Sequence, residues 1–239
     1  MTNDRNLIYA KPWVEKTEDL SLETQMVIHW IGQNKTVLET GCHTGQLASW
    51  LKKNGCQVTG IELNELALGK AVPSLERSIH GDLENPEVWA DIKESTFNAV
   101  TFIHVLEHLR EPEMVLKKGI EKIKKNGVII IGLPNISNAK DRFDIFKGKF
   151  EYTDIGVMDR THLRFYNQKT AKELIENAGL EILEYYSSWQ VNPIRVFFDH
   201  LPFFWRLARF FPPNKPPRLP RFNKNLTDVV MLFKCQRKL

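Results

Sequence analysis

A doubly wound α/β fold with a mostly parallel sheet is predicted by three features of the chain. The apolar run Val37-Leu38 ends in Glu39-Thr40-Gly41-Cys42-His43-Thr44-Gly45 and passes directly into the helical pattern Gln46, Leu47, Ala48, Trp50, Leu51. This is a strand, a tight glycine turn and a helix start, and free N–H groups at a helix start favour an anionic ligand. About 20 residues on, Gln57-Val58-Thr59-Gly60-Ile61-Glu62 is a second short strand closed by a carboxylate, the position that holds ribose in such folds. Short apolar strands then alternate with helical periods, a pattern of right-handed βαβ crossovers.

Residues 21–32 read as an amphipathic helix with Ser21 as N-cap and Glu23 and Thr24 in its first turn. Strands are expected near 36–40, 57–62, 77–81, 97–103 and 127–133, with helices near 45–54, 64–71, 86–92 and 111–124. Asn126-Gly127 reads as a helix stop and turn before the fifth strand. A short helix is expected at 137–147 and a clear one from Asn167 to Ala178, closed by Gly179. Leu180–Ser188 and Thr227–Lys234 supply the last two strands. The domain plan is 1–35 as an N-terminal helical cap, 36–190 with 226–239 as the ligand-binding domain, and 191–225 as an insertion between the last two strands.

With 239 residues, 42% hydrophobic and 26% charged, one large core is the default. The net charge of +4 is mild, and its excess falls near the C-terminus. Three cysteines, at 42, 56 and 235, make no disulfide framework and no C-x-x-C pair, which fits a reducing compartment. The N-terminus has no apolar signal region, and no run of about 18 apolar residues exists, so a cytoplasmic location is expected.

Taken in order, Glu39 to Gly45, Glu62, Gly81-Asp82-Leu83 and Phe97 to Leu109 resemble the motifs of class I S-adenosylmethionine (SAM)-dependent methyltransferases, and Gly127 to Asn135 looks like that family's fifth strand. The resemblance runs over roughly residues 20–190. It implies a Rossmann-like, seven-stranded sheet whose last strand is antiparallel, and SAM as cofactor. His43, where a middle glycine would stand, is the main departure. The implied cofactor residues are Glu39, Gly41, Cys42, His43, Gly45, Glu62, Leu63, Asp82, Leu83 and His104. In that reading Gly41 and Gly45 wrap the methionine end, Glu39 lies near the amino group, Glu62 accepts from the ribose hydroxyls and Asp82 with Leu83 borders adenine. Taken singly, each acid could equally be a solvated strand end or a helix cap.

His104-Val105-Leu106-Glu107-His108 matches the H-x-x-E-H metal pattern. It begins at a strand end rather than on a helix, so no metal site is expected from it. His104 is expected beside the cofactor, and Glu107 and His108 either face the active site or cap the next helix. Met158 to Tyr166 resembles an Asp-x-x-His-x-x-x-Phe/Tyr element of methyltransferases linked to surface-sugar and quinone pathways. His162 is the candidate general base, with His108 as second catalytic candidate; the plain alternative is that His162 and Arg164 brace a lid. Tyr9 and Trp13 either close over the cofactor or belong to a tail.

The expected activity is O-methylation of a small-molecule, sugar or lipid-linked acceptor. The alternatives are an NAD-dependent dehydrogenase, which needs a third glycine that this turn lacks, and a non-catalytic SAM-binding or membrane-targeting partner subunit. Nucleic acid is not an expected partner, since no basic stripe covers the fold and no Asn/Asp-Pro-Pro motif follows strand four. Residues 195–224 combine aromatics at helical spacing with Arg and Lys, and no acid occurs from His200 to Asn225. This segment either meets an anionic membrane surface at the inner face or serves as core, lid or homodimer packing.

Overall fold

The computed structural model describes residues 20–199 and 224–238. The elements run α1 (Leu22–Ile31), β1 (Thr36–Thr40), α2 (Gln46–Lys53), β2 (Gln57–Glu62), α3 (Glu65–Ala71), β3 (Arg77–His80), α4 (Glu87–Ala90), β4 (Phe97–Ile103), α5 (Pro112–Lys122), β5 (Ile123–Pro134), α6 (Ala139–Phe146), α7 (Gln168–Asn177), β6 (Leu180–Gln190), α8 (Pro193–Asp199) and β7 (Asp228–Arg237), the last preceded by a helical turn over Lys224–Thr227. Tyr9, Trp13 and the basic stretch 200–223 lie outside the described residues.

Seven strands form one sheet in the order β3-β2-β1-β4-β5-β7-β6. The first five are parallel, and β7 lies antiparallel between β5 and β6. The sheet is the Rossmann-like, mostly parallel arrangement expected from the sequence. Its strand order reverses next to β1, so the carboxyl ends of β1 and β4 border the crevice where doubly wound folds take ligands.

One layer of core packs Leu38, Ile61, Val100, Phe102, Ile129, Ile131 and Phe233 with Leu116, Leu174 and Ile175 of the covering helices. The opposite layer joins Val37, Val58, Ala99, Ile130 and Leu232 to Val27 and Trp30 of α1 and Leu51 of α2. The central strands are therefore buried on both faces, which explains why they read as continuous apolar runs.

Local chemistry sets the helix starts. Ser21 Oγ accepts from Thr24 N, and the Asn64 and Asn138 side chains accept from Ala67 N and Asp141 N. Asn167 and Thr170 form a reciprocal capping box at α7.

Three sequence expectations need correction. The helix expected to reach 124 ends at Lys122, and β5 starts at Ile123. Asn126-Gly127 lies within β5 rather than ahead of it, where β5 advances from Ile123 to Val128 while β4 advances only from Phe97 to Ala99; a Cβ on Gly127 would meet Asn98 O at 2.9 Å and Ile123 Cγ1 at 2.5 Å. The glycine serves close strand approach beside a register shift between Phe97 and Ala99. The helix expected over 86–92 is one turn, Glu87–Ala90, anchored by the buried Trp89 whose Nε1 donates to Leu83 O.

Candidate active site

The carboxyl ends of β1, β2 and β4 carry the candidate residues to one end of the sheet. After β1 the chain turns through Gly41 (φ 66°), His43 (φ 47°) and Gly45 (φ 78°), all in the left-handed region. A Cβ on Gly41 would meet Val105 Cγ2 at 2.6 Å, and one on Gly45 would meet Ala71 Cα at 2.8 Å. Both positions require glycine for conformation and for space. His43 occupies the left-handed region without that freedom, and its N–H donates to Glu62 Oε2 at 2.8 Å.

Glu62 also accepts from Asn64 N at 2.8 Å through Oε1. Each carboxylate oxygen has a second lone pair, so the pair still suits two ribose hydroxyls. Glu39, at 6% exposure, carries a buried Oε2 that accepts no hydrogen bond from the described residues. Burial, then the charge of Glu62, pushes its pKa up to about 8. A buried carboxyl with an unused oxygen at the mouth of a glycine turn fits an ammonium group. The residues present therefore fit SAM: Glu39 for the amino group, Gly41 and Gly45 for close backbone approach, Glu62 for the ribose.

The other residues picked out by sequence divide. Leu63 is exposed at the end of β2, its carbonyl accepting from His80 Nε2. Leu83 is buried, and Asp82 Oδ1 caps the next turn by accepting from Glu84 N. Cys42 turns away into a small cluster with Leu68 and Ala71, and its N–H donates to Ile61 O. Burial, then Glu39, raises its thiol pKa, so Cys42 is packing beneath the turn.

After β4, His104 adopts φ 53° and donates its N–H to Gly132 O. Its Nε2 stands 2.9 Å from Glu23 Oε1 of α1, and its Nδ1 stands 3.4 Å from Glu107 Oε1. Burial disfavours the imidazolium, but Glu23 and Glu107 outweigh it and hold the His104 pKa well above its ordinary value. His104 is thus an ionic link between α1 and the post-β4 turn. Glu23 was legible in the sequence only as a first-turn acid of a helix. Nothing there linked it to a residue 81 positions away, and Gly132 is what admits it: a Cβ there would lie 3.3 Å from Glu23 Oε1.

Glu107 is fully buried in a 3-10 turn, Leu106–His108, and neither carboxylate oxygen accepts a hydrogen bond from the described residues. Burial raises its pKa, but the facing His104 more than reverses that and holds it low. The segment 157–165 folds back over this turn: Leu163 N and Arg164 N donate to Glu107 O at 2.8 and 3.0 Å. His108 and His162 meet edge to face, with ring centroids 4.8 Å apart. His162 Nδ1 lies 2.9 Å from Val157 O, and burial holds its pKa below the usual imidazole value. His108 Nδ1 lies 3.2 Å from Thr161 O and 3.1 Å from Thr161 Oγ1, whose own proton goes to Asp159 Oδ1 at 2.6 Å. The structure thus joins the two catalytic candidates and adds Glu107 to them.

Residues 13–185 match the family described as a methyltransferase domain, well over half of the chain. The chain belongs to that family. Among curated proteins it is 27% identical over 163 residues to the ubiquinone biosynthesis O-methyltransferase of Azoarcus sp. strain BH72, covering 67% of this chain and 70% of that one. It is 34% identical over 150 residues to the protein of the same description from Idiomarina loihiensis, covering 62% of each. The chain thus spans only about two thirds of the relatives' length. Among solved structures, a putative methyltransferase from Bacillus halodurans aligns with TM-score 0.60 at 18% identity, over 91% of this chain and 99% of that one. A TehB-like SAM-dependent methyltransferase from Corynebacterium glutamicum aligns with TM-score 0.56 at 18% identity, over 92% and 89%. The protein is a SAM-dependent methyltransferase, and the glycine turn with Glu39 and Glu62 is its candidate cofactor site.

Proposed function

We propose that this methyltransferase acts on a hydroxyl oxygen of a small-molecule, sugar or lipid-linked acceptor. SAM supplies an electrophilic methyl on sulfonium, so positioning and removal of the acceptor proton are what remains for the protein. The single observation that carries the reading is the placement of His162 Nδ1 2.9 Å from Val157 O, an oxygen that can only accept. With Nδ1–H donated to Val157 O, Nε2 is left as the basic nitrogen. His162 and His108, backed by the Glu107 carboxylate, then act on the proton of an acceptor hydroxyl held beside them.

A lipid-linked acceptor is supported by the exposed apolar side chains between β5 and α7. Phe146 is 85% exposed and Ile155 70%, and Phe150 and Tyr152, also exposed, pack edge to face with each other. Phe197 of α8 meets Phe143 of α6 edge to face, so the start of the 191–225 insertion adjoins α6. The experiment is SAM turnover against hydroxylated lipid-linked sugars, quinone precursors and small hydroxy acids. Methyl ether formation on one class supports the reading. Methylation confined to amines or carbon acids refutes it.

A further inference from the structure

The geometry points to Glu84 as a positioning residue, one that fixes the segment carrying His162 against the loop after β3. Glu84 Oε1 accepts from Arg110 N at 2.8 Å and from Glu111 N at 2.7 Å, 26 and 27 residues further along the chain. From the other side, Arg164 Nη2 donates to Arg110 O at 2.6 Å. Arg110 O and Glu111 N belong to one peptide group, and in a trans peptide the C=O and N–H point in opposite directions. This single peptide group therefore has a carboxylate on its N–H edge and a guanidinium on its C=O edge. Both bonds are charge-assisted, and each polarises the peptide in the sense that strengthens the other.

Both ends of this bridge are anchored. At the Glu84 end, Asp82 Oδ1 accepts from Glu84 N at 2.8 Å, and the Nε1 of buried Trp89 donates to Leu83 O at 2.9 Å. At the Arg164 end, Leu163 N and Arg164 N both donate to Glu107 O, directly after His162 in the chain. Leu83 and Leu109, the chain neighbours of Glu84 and Arg110, are buried in the same core cluster. The middle has no local support: α5 is entered through Glu111 with no side-chain cap of its own. The acceptor that holds this entry comes from Glu84, in a different loop.

This inference rests on the proposed function, with His162 taking the acceptor proton, and on the cofactor reading in which Asp82 and Leu83 border adenine. A ligand seated against residues 82–83 stiffens Glu84, and the bridge passes that order through the 110–111 peptide to Arg164 and His162. Bound cofactor then sets the base in place before the acceptor arrives, which removes part of the ordering cost from the methyl-transfer step.

The test is amide hydrogen exchange followed by NMR, with and without saturating S-adenosylhomocysteine. The reporter is the Leu163 amide, and the Val100 amide of the buried strand β4 is the internal reference. In wild type the ligand should slow exchange at Leu163. Glu84→Ala and Arg164→Gln should each abolish that slowing and speed Leu163 exchange ~10–100-fold in the liganded protein, the effect of losing one charge-assisted bond on local opening, while Val100 keeps its rate. The double variant should be no worse than either single, since both act on one peptide group. Glu84→Gln keeps an acceptor oxygen without the charge and should restore part of the slowing. Should Glu84→Ala fail to fold by circular dichroism, the exposed Arg164→Gln carries the test. Slowing that survives in Glu84→Ala or Arg164→Gln, additive effects in the double variant, or equal acceleration at Val100 overturns the bridge. Ligand binding in wild type without any change at Leu163 removes the bridge and leaves the cofactor reading standing. No ligand binding in wild type brings down the cofactor reading and the bridge with it, and the acceptor panel separately judges the hydroxyl reading.

Discussion

Cofactor affinity should depend on pH through Glu39. In the free protein the buried carboxyl has a pKa of about 8, so at neutral pH it holds a proton. An ammonium placed against it requires the carboxylate, so binding releases that proton. The sign follows directly: affinity is lowest in acid and rises as pH approaches the free-protein pKa, then levels off. Each pH unit below that value costs about 1.4 kcal/mol. Between about pH 6 and pH 8 the fraction ionised changes from roughly 1% to roughly 50%, so affinity should rise ~50-fold with one proton released. Isothermal titration with S-adenosylhomocysteine, in buffers of different ionisation enthalpy, reads both quantities. Glu39→Gln should flatten the profile and weaken binding at pH 8 by ~1.5–3 kcal/mol, the worth of a hydrogen bond to a charged group. The gap between variant and wild type should shrink at pH 6, where wild type must first lose its proton. A flat wild-type profile, or a slope that survives in Glu39→Gln and so belongs to a nearby histidine, would refute the assignment.

Glu62→Ala should weaken cofactor binding by ~1.5–3 kcal/mol, and by more if the loss of its bonds to His43 N and Asn64 N loosens the turn; calorimetry with the turn's backbone followed by NMR separates the two. Gly41→Ala combines left-handed strain with a Cβ 2.6 Å from Val105 Cγ2, and should lower the unfolding free energy by about 1–3 kcal/mol in urea denaturation. His162→Ala should lower turnover on the identified acceptor ~10²–10⁴-fold while S-adenosylhomocysteine affinity stays nearly constant; normal turnover would demote it to a brace. Tyr185→Phe removes the hydroxyl donated to Asp228 Oδ2 and should cost ~1 kcal/mol of stability without altering cofactor affinity.

The parallel core and its helices were legible because the central strands are buried on both faces and four of the helices start at a Ser or Asn cap within their own sequence. Glycine positions in the cofactor turn were legible too, since a positive φ leaves few other residues. What remained hidden depends on tertiary neighbours. Gly127 read as a turn ahead of the fifth strand, and its place in an irregular stretch within β5, beside Asn98, depends on strand pairing that cannot be read locally. Cys42 stood among cofactor residues by motif position, and only the direction of its side chain shows it to be packing. The ion pair of His104 with Glu23 and the approach of His162 to His108 join elements far apart in the chain. No periodicity records them.

The antiparallel seating of β7 has an evolutionary consequence. The insertion leaves from β6 and returns into β7 at adjacent points: Val191 N donates to Thr227 O at 2.7 Å, and Gln190 Nε2 donates to Asp228 Oδ1 at 2.8 Å. With its ends already held together by the sheet, the span can be lengthened or replaced for only ~0.6 kcal/mol per doubling of its length. The glycine turn after β1, on the far side of β4, is untouched by such a change, so the sheet that carries it can stay fixed while this single excursion varies in length.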